Sequence, residues 1–352
     1  MAAHKLDRET CRKACEAVAA HGGIVSTAAR ALGLSRATLA DRIRSAWAHY
    51  KISPSSPGGD IIKPELPTAH EPVEELIERR KRGFARRSTS HTAKRWMRFE
   101  VPEVKPFGLL FVGDPHVDDE GCDWPTLERH LALLAEPGIH GVGLGDWTNN
   151  WIGKLSRLHA EQSVTQADAW RLAEYVLQRP GWMLLLRGNH DMWSGSGDPL
   201  HWMVRPEAVP LLDWQAQFEV ACGDREWRIW AAHDFPGHSM WNKLHAPLRR
   251  AKMGGHEADL YIAAHRHTFA LAEEQDEHTG RVSWLARARG YKALDSYANV
   301  HGFGSNQDRG QSILAVCTPE DGRMWCFSDV ERGAQWLTYL RNGKVRVPAI
   351  TR

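Results

Sequence analysis

Five times along the chain an apolar run of strand length stops, and side chains able to bind a metal follow at once. Residues 107–113 lead to Asp114-Pro115-His116, and residues 141–145 lead to Asp146, with Asn149 and Asn150 just beyond. Residues 182–188 lead to Asn189-His190-Asp191, the alternating run 227–232 to His233-Asp234, and residues 260–264 to His265-Arg266-His267. Continuous apolar runs mark buried strands, and α/β proteins place their sites beyond the carboxyl ends of such strands. The intervening segments 125–134 and 166–178 read as helices that cover the sheet faces. The pattern predicts an α/β fold in which five polar clusters converge on one point.

The first fifty residues carry a helical pattern instead. Asp7 caps a first helix with Cys11, Ala14, Cys15, Val18 and Ala19 at 3–4 spacing, and Gly22-Gly23 ends it. A short second helix from Ser26 carries Ala28, Ala29 and Leu32, Gly33 permits a tight turn, and Leu34 packs inward. Ser35 then caps a third helix over 36–48, with Leu39 and Ile43 on its buried face. Residues 51–71, rich in Pro, Ser and Gly, read as a linker. A short helix is expected over 72–82, its acids early and its bases late as the helix dipole favours. The expected division is a helical domain over 1–50, a linker and basic arm over 51–100, an α/β domain over 101–340 and a tail over 341–352.

Composition narrows the class. A chain of 352 residues that is 42% hydrophobic and 25% charged is an ordinary globular protein with room for a large core. No run approaches the roughly 18 apolar residues of a membrane span, and the start of the chain lacks the apolar stretch of a signal peptide. The expectation is a cytoplasmic protein, in a bacterium or a phage-infected host, with no membrane partner. The six cysteines form no CxxC pair and read as reduced, buried thiols. Net charge is only +2, but positions 79 to 98 hold nine Lys or Arg residues and no acid. That run is either a solvated face or an arm that follows a phosphate backbone.

The order Asp-x-His, Gly-Asp-x-x-Asn, Gly-Asn-His-Asp, His and His-x-His, over about 107–327, resembles the calcineurin-like metallophosphoesterases. One departure is Ala264, where the last motif of the family usually has glycine. The resemblance implies a four-layer αββα sandwich behind a small all-α domain, and two divalent metal ions. It implies that Asp114, His116 and His267 hold one ion, that Asn189, His233 and His265 hold the other, and that Asp146 bridges them. Such a mixed donor set suits Mn, with Fe and Zn as alternatives. It further implies that His190 donates a proton to the leaving oxygen or stabilises the charged phosphoryl group, with Asp191 positioning its imidazole. Buried without a cation, these groups would be left unpaired and mutually repelling. A metal centre that does no chemistry is the competing reading; His130, His140 and His245 read as ordinary core histidines.

Residues 25–43 resemble the helix-turn-helix of the Fis-like DNA-binding family, which implies that Arg36, Thr38, Arg42 and Arg44 face DNA. Arg86, Arg87, Lys94 and Arg95 would lie along its phosphates. The alternative is a three-helix interaction or dimerisation module, and paired helix-turn-helix modules would make a homodimer. Residues 287–303 are similar to stretches that follow the metal motifs in phage and prophage phosphoesterases. They suggest substrate-phosphate contacts by Arg289, Lys292 and His301, with Asn149 added from the second motif. Trp147, Trp151, Trp193, Trp202 and Trp241 fall near the expected rim, where exposed rings stack on bases and others pack inward. The leading expectation is a phosphodiesterase or nuclease acting on DNA, distantly similar to the nuclease subunits of double-strand-break repair complexes. The alternatives are a small-molecule phosphatase or cyclic-nucleotide phosphodiesterase, and a DNA-binding regulator with a non-catalytic metal domain.

Overall fold

The computed structural model describes residues 5–54, 70–192, 199–204, 208–293 and 309–343. The chain divides into two units, Met1–Arg80 and Lys81–Arg352. In the first, α1 (Arg8–Ala20) starts at Asp7, whose carboxylate accepts from the Thr10 amide at 2.9 Å. After α2 (Val25–Ala31), Gly33 takes a left-handed φ of 64° that L side chains rarely adopt. The third helix, α3 (Arg36–Tyr50), is capped by Ser35 through the Thr38 amide at 3.0 Å. Ala14, Val18, Ala28, Ala29 and Leu39 form the core. Leu32, expected on the apolar face, is instead exposed, because α2 ends one residue earlier and Leu32 falls in the turn.

The helix expected over 72–82 continues through the basic run as α4 (Val73–Ala93), which crosses the division between the units and buries none of its residues. Most of the basic segment is therefore helical. Glu74 and Glu75 in its first turn suit the dipole, and straight-chain Arg and Lys are good helix formers. Beyond it, β1 (Met97–Glu100) pairs with a strand of the second unit, so 97–100 belong to a sheet and not to a linker.

The second unit continues with β2 (Phe107–Val112), α5 (Trp124–Ala132), β3 (Ile139–Gly143), α6 (Gln166–Leu177), β4 (Trp182–Arg187), α7 (Asn189–Met192) and α8 (Pro199–Met203). Then come β5 (Leu211–Asp213), β6 (Gln215–Cys222), β7 (Arg225–Ala232), α9 (His245–Met253) and β8 (Leu260–Ala263). The last elements are β9 (Ala270–Gln275), β10 (Val282–Arg287), β11 (Ser312–Thr318), β12 (Arg323–Phe327) and α10 (Val330–Arg341). Two six-stranded sheets result, in the orders β12-β11-β2-β3-β4-β5 and β1-β6-β7-β8-β10-β9. Strands β2 to β5 are mutually parallel, as are β7, β8 and β10.

Alternation along the strands builds the layers. Leu109, Phe111, Val142, Leu144, Leu184 and Leu186 of the first sheet meet Phe218, Val220, Ile229, Leu260 and Ile262 of the second in one inter-sheet core. On the other face of the first sheet, Leu110, Val112 and Leu185 pack against Leu127, Val176 and Leu337 from α5, α6 and α10. On the far face of the second, Trp230, Tyr261 and Ala263 pack against Ala246 and Ala251 of α9. The order helix, sheet, sheet, helix is the four-layer α/β sandwich expected from the sequence. Among the described residues no helix is both long and apolar enough to cross a membrane.

His130 on α5 is buried and hydrogen-bonds through Nδ1 to the Tyr291 hydroxyl at 2.8 Å, while His140 and His245 are only half-buried. Burial lowers His130 from the usual histidine range to about 4. The unfolded chain therefore takes up a proton before the folded one does, and stability is lost as pH falls from about 6.5 toward about 4. Between pH 7 and pH 5 this histidine should account for about 2 kcal/mol of that loss. Urea unfolding of His130→Gln should show a pH dependence weaker by that amount; an unchanged dependence would contradict the assignment.

Candidate metal centre

Each of the five expected strand ends is a strand end of the sandwich, on β2, β3, β4, β7 and β8. The chain turns sharply there. Of the ten non-glycine residues with positive φ among the described residues, five are Asp114 (47°), His116 (41°), Asp146 (57°), His265 (66°) and His267 (47°). Left-handed backbone costs a non-glycine residue about 1–3 kcal/mol and persists where its surroundings over-determine it.

These turns bring seven side chains together. Asp114, His116 and His267 form one group able to hold a metal ion, and Asp146, His233 and His265 form another. The Nε2 of His233 lies 3.2 Å from Asp146 Oδ2, 3.1 Å from Asn189 Oδ1 and 3.0 Å from His265 Nδ1. The same Asp146 oxygen is 4.0 Å from His116 Nε2 and 3.9 Å from His190 Nε2, so it stands between the two groups. His190 completes a third group with His116 and Asp146. Packing leaves no slack: a Cβ on Gly188 would meet His233 Cε1 at 2.6 Å and collide with Asp146 Oδ1.

The donor atoms fit a cation. Asp114 Oδ1 and both ring nitrogens of His116 are buried without a hydrogen-bond partner, which is costly for polar atoms with no ion to meet. Burial raises Asp114 far above the carboxylate range and keeps His116 deprotonated, with His190 and His267 adding to the latter effect. Burial would also raise Asp146, but the neighbouring His233 outweighs it and holds Asp146 low. His233 itself is pushed down by burial and up more strongly by Asp146, to about 10, and His265 is lowered by burial and by His233 to about 4. A cation would replace the His233 proton and favour both carboxylates as anions.

Asp191 does not hold the His190 imidazole, contrary to expectation. Its carboxylate accepts from three buried backbone amides: Asp146 at 2.7 Å, Gly188 at 2.8 Å and Trp147 at 3.0 Å. Burial and the Asp146 carboxylate push Asp191 up to about 7 against the pull of those donors. The imidazole is oriented instead by the Asn149 carbonyl, which meets Nδ1 and turns Nε2 toward Asp146. The reason is geometric, since Asp191 lies on the one-turn helix α7 facing the β3 end.

The other expected positions divide. Asn149 is buried, its side-chain nitrogen donating to Asp119 at 2.9 Å. Arg289 is buried, and Lys292 is committed to Asp119 at 2.9 Å, so neither presents an open cation to solvent. His301 and Trp193 lie outside the described residues. Trp147 is a core residue, Trp151 is half-buried beside His190, and Trp202 and Trp241 are exposed. Arg36, Thr38 and Arg44 are exposed and Arg42 half-buried on α3, with Arg44 paired to Asp41. Arg86, Arg87, Lys94 and Arg95 are exposed.

Two features were missed. Trp214, at a φ of 63°, walls the second group, 5.2 Å from His233 and 6.1 Å from His265 between ring centroids. Arg287, buried at the end of β10, donates to Asp234 at 3.1 Å and to the Ala264 carbonyl at 2.7 Å, tying together the turns that carry His233 and His265. Its place at the end of an apolar strand was the signal that could have found it.

No protein-family model matches the chain, and no curated protein matches it. Among solved structures it is similar to a predicted phosphoesterase of Streptococcus pneumoniae at 11% identity, over 64% of this chain and 99% of that one, with a TM-score of 0.29. A Thermus thermophilus protein matches at 12% identity over 64% of this chain and 99% of its own, with a TM-score of 0.32. The anchor in the inner membrane complex of Plasmodium matches at 10% identity over 70% and 99%, with a TM-score of 0.33.

Removing the Asp191 carboxylate leaves three buried amides without acceptors, each worth about 1–3 kcal/mol. Asp191→Ala should therefore lower unfolding stability by about 3 kcal/mol or more, whereas His190→Ala should change it by less than about 1 kcal/mol. Equal denaturation midpoints for Asp191→Ala and wild type would remove Asp191 from this role.

Proposed function

We propose that the chain is a binuclear metal-dependent phosphoesterase, and specifically a phosphodiesterase that cleaves DNA. The observation that carries the reading is the position of Asp146, one buried carboxylate shared between an Asp114–His116–His267 group and an Asn189–His233–His265 group. Asp114, His116 and His267 would hold one divalent ion, Asn189, His233 and His265 the other, and Asp146 both. Such a pair supplies Lewis acidity toward phosphoryl oxygens and lowers the pKa of water.

The remaining steps fall to the protein. Asp191 fixes the turn after β3 against the turn after β4, so Asp146 and His190 keep their spacing. His190, held through Nδ1 by the Asn149 carbonyl with Nε2 3.9 Å from Asp146 Oδ2, would serve a leaving oxygen through Nε2. Basic residues outside the centre support the reading of a phosphodiester in DNA over a small-molecule monoester. Arg36, Arg42 and Arg44 on α3, in a helix-turn-helix-like unit, and Arg86, Arg87, Lys94 and Arg95 in and after α4 supply positive charge for a polyanion.

Purified protein should carry about two divalent ions per chain, cleave DNA with Mn, and turn over bis-p-nitrophenyl phosphate faster than p-nitrophenyl phosphate. His190→Ala should lower cleavage by roughly 10²–10⁴-fold, and Asp146→Ala should remove both metal and activity. Replacing Arg36 and Arg42 by Ala should weaken binding to duplex DNA and flatten its salt dependence by about one per lost phosphate contact, leaving turnover of the small diester intact. A metal-loaded preparation that spares DNA but hydrolyses the monoester would replace this reading with that of a small-molecule phosphatase.

A further inference from the structure

Among the described residues, Trp151 is an indole that borders His190. Its indole meets the imidazole at 73°, with ring centroids 5.1 Å apart. Two contacts restrain the backbone on either side of it and one meets the ring. His159 Nε2 donates to its backbone carbonyl at 2.7 Å. The preceding residue, Asn150, has a φ of 39° and donates from its side chain to the His190 carbonyl at 2.7 Å. The Lys292 ammonium, ion-paired with Asp119 at 2.9 Å, sits 5.4 Å from the indole centroid.

Trp151 is nonetheless partly exposed, unlike Trp147 four residues earlier, which is fully buried in the core beneath the same turn. A large ring packed between the His190 imidazole and the Lys292 ammonium, yet partly open to solvent, has less side-chain freedom to lose on binding than an unpacked one. Its place beside the group that serves the leaving oxygen gives it a direction. Whatever is attached to that oxygen departs along the His190 side, where Trp151 lies.

We propose that Trp151 is the leaving-group subsite, and that the base of the departing nucleoside stacks on its indole. The proposal rests on the phosphodiesterase reading above and narrows the substrate to phosphodiesters between nucleotides. The bond that forms joins phosphorus to the oxygen of water, and the bond that breaks joins phosphorus to the nucleoside oxygen, which keeps the electron pair. The proton lost by water is balanced by one delivered to that oxygen through His190, so the products are a nucleotide monoester and a nucleoside hydroxyl. Lys292 is the buttress of the ring, not a phosphate ligand, because its charge is already met by Asp119.

The test uses the full chain loaded with Mn and three dinucleoside phosphates: one intact, one abasic at the 5′ residue and one abasic at the 3′ residue. Wild type should lose on the order of 5- to 100-fold in kcat/KM when one particular base is removed, and much less when the other is removed. Trp151→Ala should erase that difference, and Trp151→Phe, which keeps a stacking ring, should retain most of it. Equal turnover of all three substrates by wild type, or an undiminished preference in Trp151→Ala, overturns the subsite while the phosphodiesterase reading stands. Absence of turnover for every diester, bis-p-nitrophenyl phosphate included, overturns that reading and the subsite with it.

Discussion

Asp114 and Asp146 are two carboxylates withdrawn from water within one nest of imidazoles, at 0% and 2% exposure. Burial alone would protonate both, and Asp114 is driven that way. Asp146 stays ionised because His233 sits against it, and His233 in turn holds a proton that burial would otherwise remove. The nest needs positive charge at its centre, from a proton on His233 or from divalent ions. With both His116 ring nitrogens and Asp114 Oδ1 buried without a hydrogen-bond partner, ions satisfy more of the site than one proton can.

Holding such a nest requires more than strand ends. Five of the seven residues that enter it, Asp114, His116, Asp146, His265 and His267, do so on left-handed backbone, which the surrounding contacts must enforce. Asp191 enforces the turns after β3 and β4 through three amides. Arg287 and Asp234 enforce those after β7 and β8, and the Asp114 carboxylate accepts from the His265 amide at 2.6 Å, joining the first sheet to the second. Gly188 removes the side chain that would otherwise push these turns apart. The inter-sheet core places the strand ends within reach, and these polar contacts set their final spacing.

Much of this was legible in the sequence because buried parallel strands announce themselves as unbroken apolar runs, and each site-bearing run ended within a residue or two of its strand. The convergence of five polar clusters followed from that, and the resemblance in motif order then singled out the seven side chains. Less legible were the contacts made by polar groups at long sequence separation. Asp191 follows His190 in the chain, so adjacency suggested a partnership, yet a one-turn helix turns its carboxylate to the β3 loop instead. Lys292 and Arg289 looked like free cations in a polar stretch, whereas the fold buries Arg289 and pairs Lys292 with Asp119, a residue whose position no periodicity reveals. The edge strand β1 was hidden by the basic run before it, which obscured the alternation of Met97 and Phe99.

Partner accounting separates a structural histidine from a functional one where burial cannot. His130 and His116 are both buried, and burial lowers the pKa of each. His130 meets the Tyr291 hydroxyl, which in turn meets Ser312 Oγ at 2.5 Å, so its polar edge is answered within the protein. His116 has neither ring nitrogen so answered, and it packs against the His190 and His267 rings with centroids 5.0 and 5.2 Å away. Two further imidazoles cannot solvate a third without a shared proton or cation, and the low pKa of His116 disfavours the proton. The unanswered nitrogens of His116 therefore argue for an ion more strongly than the number of histidines in the chain does.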